Sequence, residues 1–353
     1  MARVLHTGDT HIGFRQYGLE ERRDDFAKAF LQVVQLALDE GVSAVIHAGD
    51  LFEDRTPGAE DLLATLQGLF TLKDAGIRFL GVVGNHEQRR GVQWLDFFEE
   101  LGLAVHLRPD KPFDLEGIPV YGLDFSGRRE ITPPSYADGV LVCHQLLDAV
   151  ALDGELAVEK LISCGARIVL LGDYHEYREW RERARNQEIL ITYCGSTERW
   201  ALDEVAERGV NIIDLRSGRL DRRRLKTRPF FYVRADEDPI QRLENSDIHN
   251  AVVVVYLASS RWTIAEIEKL GYERGALAVR VRDLRESPAH EGEPSIEIEF
   301  GDVEHAVTEA LSRKNLSPLA REIDHIIRDL KIADSNVDPE VTALLERAWR
   351  AKA

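Results

Sequence analysis

The feature that most constrains this chain is a pattern met five times before residue 176: an apolar run of strand length breaks into a short cluster of acids, imidazoles or an amide. Val4–Thr7 leads into Asp9-Thr10-His11, and Val45–His47 into Gly49-Asp50. Leu80–Val83 leads into Gly84-Asn85-His86-Glu87, and Val140–Val142 into Cys143-His144. Ile168–Leu171 ends in Gly172-Asp173-Tyr174-His175. Between these runs, 19–40, 59–75 and 92–101 carry apolar residues at helical spacing. Alternating strands and helices make an α/β sheet, whose functional loops gather at the strand C-terminal ends.

Seven ligand-type side chains would then converge: Asp9, His11, Asp50, Asn85, His144, Asp173 and His175. Mixed carboxylate and imidazole shells suit manganese, iron or zinc better than calcium, and seven groups are too many for one ion. Two ions need a carboxylate that can bridge them, and Asp50 in its tight Gly-Asp turn is the best candidate. Asp9, His11 and His175 would join Asp50 on the first ion, and Asn85, His144 and Asp173 would join it on the second. Such a pair activates water and clamps a phosphoryl oxygen, as phosphodiester hydrolysis requires. His86, next to a ligand, is placed to protonate the leaving oxygen. Singly these motifs are weak, since Asp is common in turns; their order and their strand-end positions carry the case. His6, His47 and His106 lie in or at the ends of apolar strands and read as structural, while His249, His290, His305 and His325 have no partner motif.

From Glu116 the pattern turns hairpin-like, through 118–125, 189–193, 210–215 and 220–225, which suggests a second and more antiparallel layer. A boundary falls near Thr227-Arg228-Pro229. Beyond it, strands at 230–234, 252–257, 277–281 and 296–300 with a helix at 264–270 suggest a small α+β module. Three polar helices follow, at 303–313, 318–330 and 339–349, with Ser317 and Asp338 as caps before Pro318 and Pro339. The expected domains are 1–228, 229–301 and 302–353.

Composition narrows the partners less. A net charge of −17 votes against a nucleic-acid binder, although Arg far outnumbers Lys, so local guanidinium clusters can still grip phosphates. The candidates are Arg89 and Arg90, the group Arg178, Arg181, Arg183 and Arg185, and the run Arg222, Arg224, Lys226, Arg228, whose strand spacing would put four cations on one face. Leu62, Leu63, Leu66, Leu69 and Phe70, with Trp94, Leu95, Phe97 and Phe98, make two helices apolar on more than one face, which suggests a dimer interface on top of core packing. No run approaches the ~20 apolar residues of a membrane span, and no basic-then-apolar leader opens the chain. Three scattered cysteines fit a reducing cytoplasm and argue against a thiolate zinc site. An acid-rich, Lys-poor surface also suits a salty cytoplasm.

The order D-x-H, G-D, G-N-H-E, a lone His and G-x-x-H, followed by Gly195-Ser196-Thr197-Glu198-Arg199, resembles the calcineurin-like metallophosphoesterase superfamily. Gly49-Asp50-Leu51-Phe52, Gly195–Arg199 and Arg228-Pro229-Phe230 narrow the resemblance to the DNA double-strand-break repair nucleases of the meiotic recombination 11/SbcD family, and to its archaeal members; it covers residues 1–235. The resemblance implies a four-layer α/β/β/α sandwich, a small α+β DNA-capping domain and a C-terminal helical segment. It also implies an exo- and endonuclease with two manganese ions per chain, acting on double- and single-stranded DNA ends. A homodimer and a coiled-coil ABC-type ATPase, docked on the C-terminal helices, would be its protein partners. Two departures stand out: Asp173 and Glu53 each occupy a position where the family usually has His. Glu53 cannot act as a cation toward phosphate. The alternatives are a small-substrate phosphodiesterase, for cyclic nucleotides, and a metal-binding scaffold without catalysis.

Overall fold

The structure, a computed structural model, describes residues 2–127, 131–151, 154–184, 187–285, 317–327 and 334–350. The chain divides between Thr227 and Arg228 into two compact units. In the first, β1 (Arg3–Thr7), α1 (Glu20–Glu40), β2 (Ala44–His47), α2 (Ala59–Asp74), β3 (Arg78–Gly81), α3 (Trp94–Glu100) and β4 (Val105–His106) alternate strand and helix. Then come β5 (Phe113–Leu115), β6 (Ile118–Leu123), β7 (Val140–His144), α4 (Val158–Ser163), β8 (Ile168–Gly172), β9 (Arg178–Ala184) and β10 (Gln187–Tyr193). Two further strands, β11 (Gly209–Asp214) and β12 (Arg219–Arg224), complete the unit.

Among the described residues two six-stranded sheets result, in the orders β12-β11-β1-β2-β3-β4 and β5-β6-β7-β8-β10-β9. The period of two along each strand sorts side chains between layers. Leu5, Val45 and Phe79 pack against Phe30, Val33, Leu69 and Phe98 of the helices. Val4, Ala44, Ile46 and Leu80 point the other way and meet Val120, Val140, Val142, Ile168 and Leu170 of the second sheet. That sheet's outer face, with Leu141, Val169, Leu171 and Ile191, packs with Leu161 of α4. The layering is α/β/β/α, and every residue of β2, β7 and β8 is buried. Strands covered on both faces read as unbroken apolar runs.

Two expectations about this unit are corrected. In the second sheet, β6, β7, β8 and β10 run parallel, and only the edge pairs β5–β6 and β9–β10 are antiparallel. Long connections, not two-residue hairpins, join β6 to β7 and β7 to β8, and crossovers of that length return a strand in parallel. The hairpin formed by β11 and β12 belongs to the first sheet, where β11 pairs with β1. Strand β9 is nearly all charged, as suits an edge, and carries no apolar alternation that would reveal it.

In the second unit, β13 (Phe230–Val233), α5 (Pro239–Glu244), β14 (Val252–Leu257), α6 (Ile264–Glu273) and β15 (Ala278–Asp283) form three parallel strands in chain order with two crossover helices. The described part is therefore parallel α/β and not α+β. The short helix α5, capped by Asp238 on the Gln241 amide, supplies the crossover that sequence spacing did not reveal. Val233, Leu243, Val253, Val255, Ile267 and Val279 are its core. The strand expected at 296–300, the helix expected at 303–313, and His290 and His305 lie outside the described residues. Helix α7 (Pro318–Ile327) starts as expected, with the Ala320 amide donating to Ser317 Oγ; residues 328–330 of the expected helix are not described. Helix α8 runs Asp334–Arg350, so Asp338 is inside it and does not cap it. Asp and Ser favour helix starts, and the helix reaches back through Asp334-Ser335; Pro339 then falls in its second turn, where it removes one backbone hydrogen bond. Among the described residues no helix is long and apolar enough to cross a membrane.

Candidate metal centre

The parallel strands β1, β2 and β3 of one sheet and β7 and β8 of the other all deliver their C-terminal loops to one place. The β1 and β2 loops are zipped together by backbone hydrogen bonds, with the amides of Thr10 and His11 both donating to the Asp50 carbonyl. Backbone strain is concentrated here: Asp9, His11, Asp50 and Asp173 have φ of 48°, 43°, 54° and 88°. Residues other than glycine adopt such angles mainly in turns and functional loops, and Asp, Asn and His do so most readily. Space is equally tight. A Cβ on Gly84 would lie 2.0 Å from Asp50 Oδ1, and one on Gly49 would lie 2.3 Å from His144 Nδ1.

All seven sequence-derived ligand candidates are brought together. His11 Nε2 and His175 Nε2 face one another at 3.2 Å. Two nitrogens bound to one ion at about 2.1 Å lie roughly 3.0–3.4 Å apart at octahedral to tetrahedral angles. Asp9 completes this group, and its buried Oδ2 has no hydrogen-bond partner among the described residues. Across the cleft, His144 Nε2 is 2.9 Å from Asn85 Oδ1, 3.2 Å from Asp50 Oδ2 and 3.6 Å from Asp173 Oδ1. Asp50 Oδ2 is also 3.9 Å from His11 Nε2, so the one carboxylate lies between the two groups. Asp50 Oδ1 accepts the His86 amide.

The three imidazoles are turned by their other nitrogen. His144 Nδ1 donates to the Ala48 carbonyl at 2.7 Å, His175 Nδ1 lies 2.6 Å from Glu204 Oε1, and His11 Nδ1 lies 2.8 Å from Glu53 Oε2. For His144 and His175 this is the arrangement by which proteins fix a ligating tautomer and leave Nε2 for the ion, whereas the His11 contact is an ion-pair approach that is not aligned as a hydrogen bond. Electrostatics agree. Burial opposes ionisation of Asp50, but the imidazoles of His144, His86 and His11 outweigh it and hold its carboxyl well below the usual carboxylate range. Burial likewise opposes a charged His144, yet Asp50 and Asp173 push its pKa well up. Burial lowers and Glu204 raises the pKa of His175, to a net value of about 9. Burial and the neighbouring acids raise that of Asp173. A cluster that draws protons this strongly draws divalent cations by the same field, and the two compete for the same nitrogens. The donor set, the orphaned Asp9 oxygen and the facing nitrogens fit divalent metal.

His86 sits beside the first group, its ring 4.8 Å from that of His11, with Nδ1 donating to the Glu53 carbonyl at 3.1 Å. Glu204, Trp200 and the contacts of Glu53 were not legible in the sequence. The only trace is that Trp200 and Glu204 follow the Gly195–Arg199 motif. His106 is buried and paired with Asp96 and Asp124, and His47 meets Thr10; both are structural, as expected.

The candidate DNA contacts divide. Arg90 and Lys226 are exposed, Arg178 is exposed with its guanidinium 3.8 Å from Glu176, and Arg89 stacks on Trp94. Arg181 is neutralised by Glu179 and Glu188, and Arg224 by Glu207. The four-cation face is not formed. β12 ends at Arg224, Arg222 folds inward over Tyr177 to reach the Cys194 carbonyl, and Arg228 belongs to the second unit. Arg183 is exposed, and Arg185 lies outside the described residues. Of the apolar helix residues, Leu69, Leu95 and Phe98 are core, while Leu63, Phe70 and Phe97 are exposed.

A sequence profile described as calcineurin-like phosphoesterase matches residues 2–144. A Haloferax volcanii protein named DNA double-strand break repair protein Mre11 is 43% identical over 368 residues, spanning 98% of this chain and 82% of that one. Proteins of the same name from Halobacterium salinarum and Methanosarcina mazei are 40% and 38% identical, spanning 97% and 96% of this chain and 93% and 58% of theirs.

Proposed function

The chain belongs to the Mre11 family of DNA double-strand break repair proteins, and from that premise we propose a two-metal nuclease that trims broken DNA ends. It is a metal-dependent phosphodiesterase. Manganese is the ion we assign, two per chain. Asp9, His11 and His175 would hold one ion and Asn85, His144 and Asp173 the other, with Asp50 shared. When bound, the ions would polarise the phosphodiester and lower the pKa of an attacking water. The protein's own part is orientation and proton delivery. Nδ1 of His86 is committed to the Glu53 carbonyl, so the proton it delivers to the leaving oxygen is carried on Nε2. Arg89, Arg90, Arg178 and Lys226 are the cations that would hold the DNA backbone, which supplies affinity without reading sequence.

Residues 229–301 would act as a DNA-capping domain and 302–353 as the docking segment for a coiled-coil ABC-type ATPase. Helix α7 supports the second role, with Leu319, Ile323, Ile326 and Ile327 at helical spacing and none of its residues buried. Exposed Leu63, Phe70, Val92 and Phe97 on and beside α2 and α3 support a homodimer contact there.

The observation that carries the reading is Asp50 between two groups of ligand atoms, each complete in type. The purified protein is to be incubated with linear duplex DNA and manganese, magnesium or a chelator. Degradation with manganese that stops with chelator is expected. Folded protein that cuts no DNA with any divalent ion would overturn it.

A further inference from the structure

Glu53 stands where the resembling family usually has His, and it cannot do a cation's work on phosphate. Its surroundings show what it does instead. The side chain is buried, and a single oxygen, Oε2, gathers three ring nitrogens. Oε2 lies 2.8 Å from His11 Nδ1, close enough for its charge to favour a proton there though not aligned as a hydrogen bond, accepts the Trp200 Nε1–H at 3.0 Å, and is 3.5 Å from His86 Nδ1. The Glu53 main chain is pinned as well, its amide donating to the Ile12 carbonyl and its carbonyl accepting from His86. Trp200 extends the array. Its indole lies 6.0, 5.8 and 5.7 Å from the rings of His11, His86 and His175, Phe14 stacks on it, and its amide donates to Glu204. Glu204 in turn faces His175. Each imidazole of the first metal group therefore has its own carboxylate, and one residue, Trp200, holds both carboxylates, Glu53 through its indole and Glu204 through its backbone amide.

We propose that Glu53 is a positioning residue that sets His11 as an Nδ1–H tautomer, with Nε2 toward the first ion, and holds His86 in register with it. This rests on the two-metal reading above. A leucine at 53 would leave His11 free to turn and the first site short of an orienting charge. Outer carboxylates of this kind typically account for 10–100-fold in metal affinity. A glutamine keeps an oxygen acceptor without the charge, so Glu53→Gln should fall between Glu53→Leu and the unaltered protein.

The test uses the full chain. Manganese binding is followed calorimetrically, and the histidine tautomers of the metal-free protein are read from nitrogen-15 shifts, His11 being assigned by its loss in His11→Asn. Glu53→Leu should weaken one site by about 10–100-fold, leave the other unchanged, and remove the Nδ1–H signature of His11. If Glu53→Leu does not fold, Glu53→Gln decides alone, since an unchanged first site and tautomer overturn the proposal. A third manganese in the unaltered protein, lost in either variant, would also overturn it, because His11, Glu53 and His86 would then be ligands of their own ion. Asp50→Asn separates the two readings. If that variant binds both ions normally, the two-metal centre itself falls. If it loses both while Glu53→Leu keeps both with His11 unchanged, only the role of Glu53 falls.

Discussion

Asp50→Asn is the substitution that tests the centre most directly. Asparagine preserves the shape and the oxygen that accepts the His86 amide, and it tolerates the left-handed φ of 54° at this position, which alanine does not. It removes one negative charge from a residue that is 1% exposed, where solvent screens little. The lost oxygen lies 3.2 Å from His144 Nε2 and 3.9 Å from His11 Nε2, the atoms that would face the two ions. Two unit charges about 4 Å apart in an effective dielectric near 20 interact by about 4 kcal/mol, a lower bound for a carboxylate facing a dication. That figure corresponds to roughly a thousandfold in a binding constant, at each site. Calorimetric titration with manganese, with metal counted by mass spectrometry after gel filtration, should show loss of more than one ion per chain. Thermal melting should show the variant folded. Full occupancy at unaltered affinity would refute both the bridging assignment and the charge argument behind it.

Two further outcomes follow from the same contacts. Asp173→His should keep two ions and raise the ratio of manganese-supported to magnesium-supported cleavage, because imidazole favours the later, softer ion, and an unchanged ratio would show that the site takes either ligand. Asp173→Ala should lose the second ion and most activity, and full cleavage with two bound ions in that variant refutes the ligand role. His106 lies outside the centre, 2.7 Å from Asp96 and 2.9 Å from Asp124. Burial works against its charge, but Asp124 and Asp96 outweigh burial and raise its pKa. A raised folded-state pKa contributes stability that is complete below the unfolded value of about 6.5 and fades as pH climbs through the folded value. His106→Gln should therefore cost about 1–3 kcal/mol near pH 5.5 and clearly less near pH 9 by urea unfolding. An equal cost at both would show that the ring acts only by packing.

What was legible from sequence depended on how local the cause is. Strands β2, β7 and β8 are buried on both faces, so their letters alone mark them. The direction of the second sheet was not legible, because parallel and antiparallel neighbours differ in the path between strands and not in the strands. Charged β9 hid for the complementary reason: an edge strand protects itself with the residues that conceal it. Arginine clusters misled because a sequence lists cations without their acids. Glu179, Glu188 and Glu207 take up Arg181 and Arg224, and Arg222 turns inward.

The centre itself divides along the same line. Four of its seven ligand candidates sit at positive φ, and Asp and His are among the few residues that accept those angles. Their appearance just after buried strands is the local imprint of a loop bent tightly enough to aim a side chain back over the sheet edge. The motif is thus readable because strain restricts which residues can occupy it. Glu53 and Glu204 are under no such restriction. They reach His11 and His175 from 42 and 29 positions away, through side chains whose backbone is unremarkable in sequence. Only the folded chain shows which acids serve the imidazoles, and those acids determine which nitrogen each imidazole offers to a metal.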